Sequence, residues 1–338
     1  MRVLSGVQPS GRLHIGNYFG AIRQFIALQE DPANECFYFI ADLHALTTVQ
    51  DGAALRAHSL SLATDFLALG LDPRRSVLYR QSDVPEVTEL AWMLSVVTPM
   101  GLLQRAHSFK DKVARGIAPN HGLFAYPVLM AADILIVRSD RVPVGKDQQQ
   151  HLEIARDIAA AFNQTFGLAL AGGGREPVLK LPEAMILPEV AVVPGTDGQK
   201  MSKSYGNTLD IFAPEAELKK RVMSLVTDST PVAEPKPTAG NALYALLELL
   251  TPAREWPATE RCFSAGGTGY GELKQRLLER LLATFGPARE RRAELERRPQ
   301  DVEEVLRAGS ERARAVISQV MADCRRACGV GGGPGGRR

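Results

Sequence analysis

Short apolar runs alternate with longer amphipathic stretches through the first half of this sequence. The apolar runs are "RVLSG", "CFYFIAD" and "SVLYRQS", and the stretches between them cover residues 17–30 and 52–70. Runs of this length predict buried strands, and the intervening stretches are long enough to form helices. Because parallel strands need a crossover connection, which a helix usually supplies, this order predicts an α/β fold with a parallel sheet.

The second half of the chain loses the strand pattern. After residue 207 the sequence predicts helices over residues 214–226, 242–250, 272–285 and 302–327, interrupted by the proline-rich link "TPVAEPKPTAG". A chain of 338 residues, 45% of them hydrophobic, can bury two cores or one core with a large appendage. We expect the chain to divide into residues 1–205, residues 206–290, a C-terminal helix at 291–328 and a flexible glycine-rich tail at 329–338.

The stretch "PEVTELAWMLSVVTPMGLLQRAHSFKDK" predicts two helices that are broken near Thr98 and Pro99. It is more apolar than one exposed helix face needs to be. We therefore expect a helical insertion near residues 85–120 that packs against another subunit.

Charge and cysteine usage exclude several classes of protein. The net charge of +2 gives no global field that attracts a polyanion, so local patches would have to bind one. Four cysteines are present, Cys36, Cys262, Cys324 and Cys328. Their spacing fits neither a zinc site nor a disulfide framework, and the sequence shows neither a signal peptide nor an apolar run of the ~20 residues that a membrane helix needs. We expect a cytoplasmic protein without a structural metal.

One strongly charged segment, "RERRAELERR" at residues 289–298, mixes five arginines with three glutamates. This mixture predicts a solvated helix face. A contact with nucleic acid is the alternative interpretation.

A glycine-rich turn follows the first predicted strand. In "SGVQPSGRLHIGNYFG" the glycines allow backbone amides to approach a ligand, and the helix that follows favours an anion at its N-terminus. His14 and Asn17 lie three residues apart at this helix start, where both could donate to phosphate oxygens. The spacing matches neither a Walker loop nor GxGxxG, and a capping or packing role for His14 is the alternative.

A second loop, "GTDGQKMSKSYGN" at residues 195–207, carries two cations among glycines and serines. Lys200 and Lys203 could meet negative charge that develops in a transition state, and a mobile loop could then release the product. The glycines at 195, 198 and 206 are candidate hinges. Taken alone, a loop of this composition is usually solvated surface.

Together, "HIGN" and "KMSKS" resemble the two signatures of class I aminoacyl-tRNA synthetases, in that order and separated by an α/β region. Asn17 stands where many members have a second histidine, and tryptophanyl members commonly carry asparagine there. The blocks "GVQPSG", "HIGNY", "YPVLMAADIL", "VPVGKDQQQH", "KMSKS" and "VTDS" resemble the tryptophanyl family between residues 6 and 229. The resemblance implies a Rossmann-type parallel-sheet catalytic domain at 1–205, a helical anticodon-binding domain at 206–290 and a homodimer.

The predicted helix "AYPVLMAADILIV" carries one carboxylate on an apolar surface. Pro127 is typical of a first helical turn, and Tyr126, Met130 and Asp133 follow at i, i+4 and i+7 on one face. A buried carboxylate needs a donor, and an indole N–H donates without being able to accept. The alternative is that Asp133 caps a helix or pairs internally. In tyrosyl relatives the residue at Met130 is typically glutamine.

The resemblance also implies roles for particular residues. Asp133 would accept from the indole N–H, Tyr126 and Gln148 would bind the substrate ammonium, and further tryptophan contacts would be Met130, His44, Val142, Val144, Leu4 and Gly6. The implied ATP contacts are Gln8, Pro9, Ser10, Gly16, Asn17, Gly145, Lys146, Asp147, Ala191, Lys200, Met201, Ser202, Lys203 and Ser204. Leu4 replaces the phenylalanine of many relatives. Lys200, Lys203, His14 and Asn17 would serve catalysis.

The implied reaction has two steps. The carboxylate of tryptophan attacks the α-phosphorus of Mg²⁺-bound ATP, which gives tryptophanyl-adenylate and releases pyrophosphate. A ribose hydroxyl at the 3′ end of tRNA(Trp) then takes the tryptophanyl group. The attacking carboxylate is already ionised, so positioning and charge stabilisation must supply the catalysis. The alternatives are a tyrosyl-type synthetase and a non-charging paralogue that binds tryptophan or an adenylate as a regulatory partner.

Overall fold

A computed structural model describes residues 1–105, 120–145, 149–169, 174–186 and 192–331. Its strands are β1 (Arg2–Val7), β2 (Glu35–Ile40), β3 (Ser76–Arg80), β4 (Arg141–Val144), β5 (Leu168–Ala169), β6 (Arg175–Glu176) and β7 (Glu183–Ile186). Its helices are α1 (Ile15–Asn17), α2 (Arg23–Glu30), α3 (Asp42–Ala45), α4 (Gly52–Leu69), α5 (Glu86–Ser95), α6 (Met100–Gln104), α7 (His121–Ile136), α8 (Gln149–Phe166), α9 (Glu215–Met223), α10 (Ala242–Leu250), α11 (Trp256–Ser264), α12 (Tyr270–Glu296) and α13 (Pro299–Cys328). A π-helical segment, Tyr18–Ile22, joins α1 to α2, and short 3-10 turns cover Gln81–Asp83 and Lys203–Tyr205.

The predicted parallel sheet is confirmed. Five strands pair in parallel in the order β3-β2-β1-β4-β7, and β5 and β6 form a separate antiparallel hairpin. The strand order reverses between β1 and β4. These two strands pair only at Val3 and Arg141, whereas β1 pairs with β2 along its whole length. A crevice can therefore open between the carboxyl ends of β1 and β4, the place where such folds bind ligands.

Alternate residues of the central strands belong to two apolar cores. Cys36, Tyr38 and Ile40 of β2 pack in one core, and Phe37 and Phe39 pack in the other. This alternation is the period of two that an extended strand imposes on side chains. The sheet is buried on both faces, as a parallel sheet covered by helices must be.

The apolar core runs through the predicted boundary at residue 206 without a break. Leu209, Leu243 and Leu277 belong to the same buried cluster as Val3 and Ile15. The helical second half therefore shares a continuous core with the sheet region. The division at 1–205 and 206–290 stays a prediction.

Helix α13 lies along the edge strand β3. A Cβ atom at Gly309 would collide with the carbonyl oxygen of Leu78, so only glycine permits this approach. Arg312 donates to the carbonyl oxygens of Pro73 at 2.6 Å and Ser76 at 3.0 Å. The helix thereby covers an edge that would otherwise be free to pair with another chain.

The last two helices differ from the sequence prediction in their bounds. Helix α12 continues through Pro287 to Glu296, and α13 begins at Pro299, so the predicted start of the C-terminal helix at residue 291 is wrong. Pro299 occupies the first turn of α13, where its missing N–H has no partner to lose. Packing of α12 against the sheet domain outweighs the local signal of Gly286 and Pro287.

The arginine-rich segment at 289–298 is mostly exposed, as the predicted solvated helix face requires, but two of its arginines make tertiary contacts. Arg289 donates to the carbonyl oxygens of Ile211 at 2.6 Å and Ala213 at 2.7 Å. Arg292 pairs with the buried Asp65 of α4 at 2.5 Å. Arg289 and Arg292 therefore join α12 to the segment after residue 207 and to α4, which the sequence did not predict. A contact of the exposed residues with nucleic acid stays a prediction.

The apolar hairpin after residue 85 forms two helices, α5 and α6, with the predicted break at Thr98 and Pro99. Trp92, Val96 and Met100 remain exposed at 73%, 60% and 63% of their surface. Residues 106–119 of this insertion lie outside the described residues. All four cysteines are free, and none of the described helices has the length and apolar character needed to cross a membrane.

Candidate active site

A cavity of about 250 Å³ lies at the carboxyl edge of the sheet, between β1 and β4. Eight of the nine predicted tryptophan contacts line it: Leu4, Gly6, His44, Tyr126, Met130, Asp133, Val142 and Val144. Phe39 and Ala41, at the end of β2, add to its apolar wall. The ninth predicted contact, Gln148, lies outside the described residues.

Asp133 is the buried carboxylate of this cavity, with 1% of its surface exposed. Its Oδ2 accepts from His44 Nε2 at 2.9 Å, and Gln81 Nε2 donates to both carboxylate oxygens at 2.9 Å. The internal pairing considered from the sequence is therefore present, in a group that also faces the cavity. Burial raises the pKa of Asp133, and the hydrogen bonds from His44 and Gln81 oppose that rise.

Gln81 was missed by the sequence analysis. It is fully buried, and its Oε1 accepts from the backbone N–H of Leu43 at 3.1 Å and of His44 at 3.4 Å. A signal existed, because Gln81 directly follows β3 and the carboxyl ends of parallel strands meet at one edge. Asp42 and His44, which follow β2, lie at the same edge.

Tyr126 and His151 form the polar side of the cavity, with Tyr126 Oη 3.3 Å from His151 Nε2. His151 was not among the predicted contacts, although it ends the block "VPVGKDQQQH". Helix α7, which carries Tyr126, begins at His121 and has Asn120 as its N-cap. The prediction that Pro127 lies in a first helical turn is wrong, because Pro127 is inside the helix.

His14 is buried beside the glycine-rich turn, and its Nδ1 atom has no hydrogen-bond partner. Burial, and then the charge of Lys203, lower its pKa to about 4. The imidazole is therefore neutral near pH 7 and able to donate from one nitrogen. A Cβ at Gly16 would lie 2.9 Å from His14 Nδ1, so glycine is needed for this packing. Asn17 Oδ1 accepts from the backbone N–H of His14 at 3.1 Å.

Lys203 joins the two predicted phosphate loops. Its Nζ donates to the carbonyl oxygens of Ser10 and Gly11, each at 3.1 Å, and lies 3.3 Å from Ser10 Oγ. Burial lowers the pKa of Lys203, and the charges of Asp210 and Asp65 oppose that change. The side chain of Lys200 is exposed, and Met201 packs into the core.

Asn207 anchors the lysine loop and was missed by the sequence analysis. Its Oδ1 accepts from Ser202 N–H at 2.8 Å, and its Nδ2 donates to Asp197 at 2.7 Å and to the carbonyl oxygen of Lys200 at 3.2 Å. Gly195 packs so closely against Asn207 that a Cβ would collide with it. Gly198 and Gly206 adopt positive φ angles of 83° and 64°. Hinge motion at these glycines stays a prediction.

The backbone also ties the two motifs together. Ile15 N–H donates to the carbonyl oxygen of Leu209 at 3.0 Å, and Ile211 N–H donates to that of Leu13 at 3.0 Å. His14 forms an antiparallel bridge with Asp210 between them. The helix start and the segment after the lysine loop are therefore one unit.

Three predicted ATP contacts cannot be placed. Lys146, Asp147 and Ala191 lie outside the described residues, as does the tryptophan contact Gln148, while Gly145 is exposed at the end of β4. The described part of the chain contains no group of three or more His, Cys, Asp or Glu side chains that could hold a metal ion. Of the remaining ATP contacts, Gln8 lines the cavity and Pro9 is buried beside it along the chain.

Comparison with known proteins gives a consistent result. Residues 1–286 match the family described as "tRNA synthetases class I (W and Y)". The tryptophan–tRNA ligases of Fusobacterium nucleatum and Rhodopirellula baltica are each 51% identical, over 98% of this chain and 98% and 100% of theirs. The crystal structure of the Campylobacter jejuni tryptophanyl-tRNA synthetase complexed with ADP and tryptophan superposes with a TM-score of 0.91, at 49% identity, covering 98% of this chain and all of that one.

Proposed function

This chain belongs to the class I tRNA synthetases for tryptophan and tyrosine and acts as a tryptophan–tRNA ligase, and we propose that its sheet-edge cavity binds the tryptophan. The observation that carries this proposal is the buried Asp133 carboxylate among apolar walls. In the described part of the chain, the Asp133 carboxylate acts as a hydrogen-bond acceptor, toward His44 and Gln81. A further ligand group that meets it must also be a donor.

The chemistry of this carboxylate favours tryptophan over tyrosine. An indole N–H only donates, so it is complementary to an ionised carboxylate, and the surrounding leucine, methionine and valine side chains suit the ring. A phenol hydroxyl both donates and accepts, and its acceptor lone pairs would face an apolar wall. The tyrosyl alternative therefore lacks support from the cavity as well as from the sequence relatives.

ATP would bind beside this cavity, between the glycine-rich turn and the lysine loop. A relative has been crystallised with ADP and tryptophan together, which supports neighbouring sites. His14 has a buried ring nitrogen without a partner among the described residues, and Lys203 Nζ donates to the Gly11 carbonyl oxygen of the glycine-rich turn. Mg²⁺ would enter as part of the ATP substrate. Lys146, Asp147 and Ala191 stay predicted ATP contacts, and Gln148 stays a predicted contact of the substrate ammonium.

Activation would rest on charge stabilisation, because the attacking carboxylate of tryptophan is already ionised. Lys203 donates to two backbone carbonyl oxygens and one hydroxyl, and phosphate oxygens would replace these neutral acceptors with charged ones. Lys200, exposed on the same loop, would add a second cation. A ribose hydroxyl at the 3′ end of tRNA(Trp) would then take the tryptophanyl group from the adenylate, and AMP would leave.

Assembly and location are further parts of the proposal. The exposed Trp92, Val96 and Met100 suit an apolar interface with a second copy of the chain. The helices between residues 206 and 290 would bind the anticodon. The four free cysteines suit the reducing cytoplasm.

The proposed function is tested by amino-acid-dependent ATP–pyrophosphate exchange, followed by charging of tRNA(Trp). We expect exchange with tryptophan and not with tyrosine, and we expect Asp133→Ala to reduce that preference. Exchange with tyrosine at a similar rate would contradict the cavity assignment. Tryptophan binding without exchange or charging would favour the non-charging paralogue.

A further inference from the structure

We propose that Gln81 is a positioning residue for tryptophan selectivity, because its amide holds the Asp133 carboxylate ionised and oriented with one oxygen left to accept the indole N–H. This inference rests on the proposed role of Asp133. It concerns a residue that lies behind the cavity wall and is not among the residues that line the cavity.

The orientation of the Gln81 amide is fixed by the backbone. Its oxygen accepts from the N–H groups of Leu43 and His44 at the start of α3. The NH₂ group must therefore point the other way, toward Asp133, where it lies 2.9 Å from both carboxylate oxygens. A flipped amide would lose the acceptor for both backbone groups and place an oxygen against a carboxylate.

Counting lone pairs shows what remains for a ligand. A carboxylate offers about four acceptor positions. Among the described residues, Asp133 Oδ2 accepts from Gln81 and from His44, and Oδ1 accepts from Gln81 alone. One acceptor position is left, on Oδ1, and a single N–H group would satisfy the carboxylate completely.

The charged groups around Asp133 make the Gln81 donor necessary. His44 faces the carboxylate from α3 and supplies one donor, while Asp42, on the same helix, adds a negative charge that disfavours ionisation. Tyr79 faces it from β3 with a buried hydroxyl that has no partner, and Tyr126 and His151 stand on the cavity wall. Without Gln81, a single histidine would have to offset both burial and Asp42.

The first variant is Gln81→Met, which keeps the length of the side chain and removes its donors. The measurement is pyrophosphate exchange with tryptophan and with β-(3-benzothienyl)alanine, whose sulfur replaces the indole N–H. We expect the ratio of kcat/KM values, tryptophan over analogue, to fall about tenfold at neutral pH, since a hydrogen bond to a charged group is lost. Raising the pH should restore the ratio as Asp133 becomes ionised.

The second variant, Gln81→Glu, keeps an acceptor for Leu43 and His44 and so preserves the local fold. When the pair of carboxyls shares one proton, a hydrogen bond still holds Asp133 in place, and loss of that proton sets two charges against each other. The ratio should therefore fall as pH rises, opposite to the trend for Gln81→Met. Damage to the fold alone would lower the rates with both substrates and would not produce opposite trends.

Gln29 provides a matched control, because it is a second buried glutamine whose amide both donates and accepts hydrogen bonds, and it is not among the residues that line the cavity. Its Nε2 donates to the carbonyl oxygen of Gly70 at 2.8 Å, and its Oε1 accepts from Asp72 N–H at 3.0 Å. Gln29→Met should lower the melting temperature and leave the substrate ratio unchanged and independent of pH.

The outcomes separate the two proposals. A selective wild-type enzyme together with Gln81 variants of unchanged, pH-independent ratio would overturn the role of Gln81 and leave the cavity assignment standing. A wild-type enzyme that uses the benzothienyl analogue as well as tryptophan would overturn the role of Asp133, and the role of Gln81 with it. Reduced ratios with opposite pH trends would support both.

Discussion

At the scale of single residues, Lys203 connects the turn at Ser10 and Gly11 with the loop that follows β7. This contact brings together two motifs that lie far apart in the sequence, as a single nucleotide site made of both would require. The side chains whose types suggest the chemistry, among them His14, Lys203 and Asp133, were singled out from the sequence, and their roles stay predictions. Gln81 and Asn207 were not predicted, because each acts through hydrogen bonds to residues whose proximity the fold creates. For Gln81, its position directly after β3 was the one available signal.

We expect Lys203→Ala to lower the rate of tryptophan activation by about 10²–10³, the usual loss when one donor to a developing charge is removed. Tryptophan affinity should change little, because the Lys203 ammonium group lies at the glycine-rich turn and not in the tryptophan cavity. Exchange kinetics and equilibrium tryptophan binding measure the two effects separately. Lys219→Ala, on the exposed face of α9, is the matched control. Equal losses in rate and affinity would count against the assignment.

His14 should make the protein less stable in mild acid. Its pKa is about 4 in the folded chain and 6.5 when unfolded, so between these values the unfolded state binds the extra proton. Stability is thus lost as pH falls below 6.5. Between pH 7 and pH 5, the unfolding free energy of His14→Gln should therefore fall by about 2 kcal/mol less than that of the wild type. Urea unfolding at the two pH values measures it. An identical pH dependence in wild type and variant would rule out this role for His14.

At the scale of elements, the strands were predictable because apolar runs of five or six residues leave little choice of structure. The contacts between helices were not. Arg292 of α12 pairs with Asp65 of α4, and the sequence around neither residue indicates that the two side chains meet. The composition of residues 289–298 suggested solvent, whereas the fold uses their charges to join α12 to the sheet domain.

Breaking the ion pair between Arg292 and Asp65 should destabilise the protein. Arg292→Ala leaves Asp65 buried without its cation, a change that typically costs about 3–5 kcal/mol. Arg307→Ala is the matched control, because its two ion pairs on α13 are exposed and should contribute less than about 1 kcal/mol. Denaturant unfolding of both variants makes the comparison. Equal, small losses would mean that Asp65 is solvated after all.

At the scale of the whole molecule, the sequence indicated a sheet domain followed by helices but not how the two halves meet. Leu209 and Leu277 share a core with Val3, and α13 covers the edge strand at Leu78. Periodicity reveals which face of a helix is apolar and cannot reveal which surface it covers. The same limit applies to the exposed Trp92, Val96 and Met100, which form an apolar face that no part of the described chain covers.

We expect this face to hold two copies of the chain together. Trp92→Glu would place a charge in the centre of the interface and should convert a dimer into a monomer, measured by sedimentation equilibrium. Val232→Glu is the control, because Val232 is exposed but does not belong to this face, and this change should leave the dimer intact. A wild-type protein that is monomeric at micromolar concentration would refute the interface.

The most direct test of the whole account is a crystal structure of this protein with tryptophan bound. The account predicts the indole ring in the cavity between β1 and β4, with its nitrogen within about 3.2 Å of Asp133 Oδ1. The hydrogen bonds from Gln81 and His44 to Asp133 should remain in place. An indole nitrogen that meets a different acceptor, or a ring outside this cavity, would contradict it.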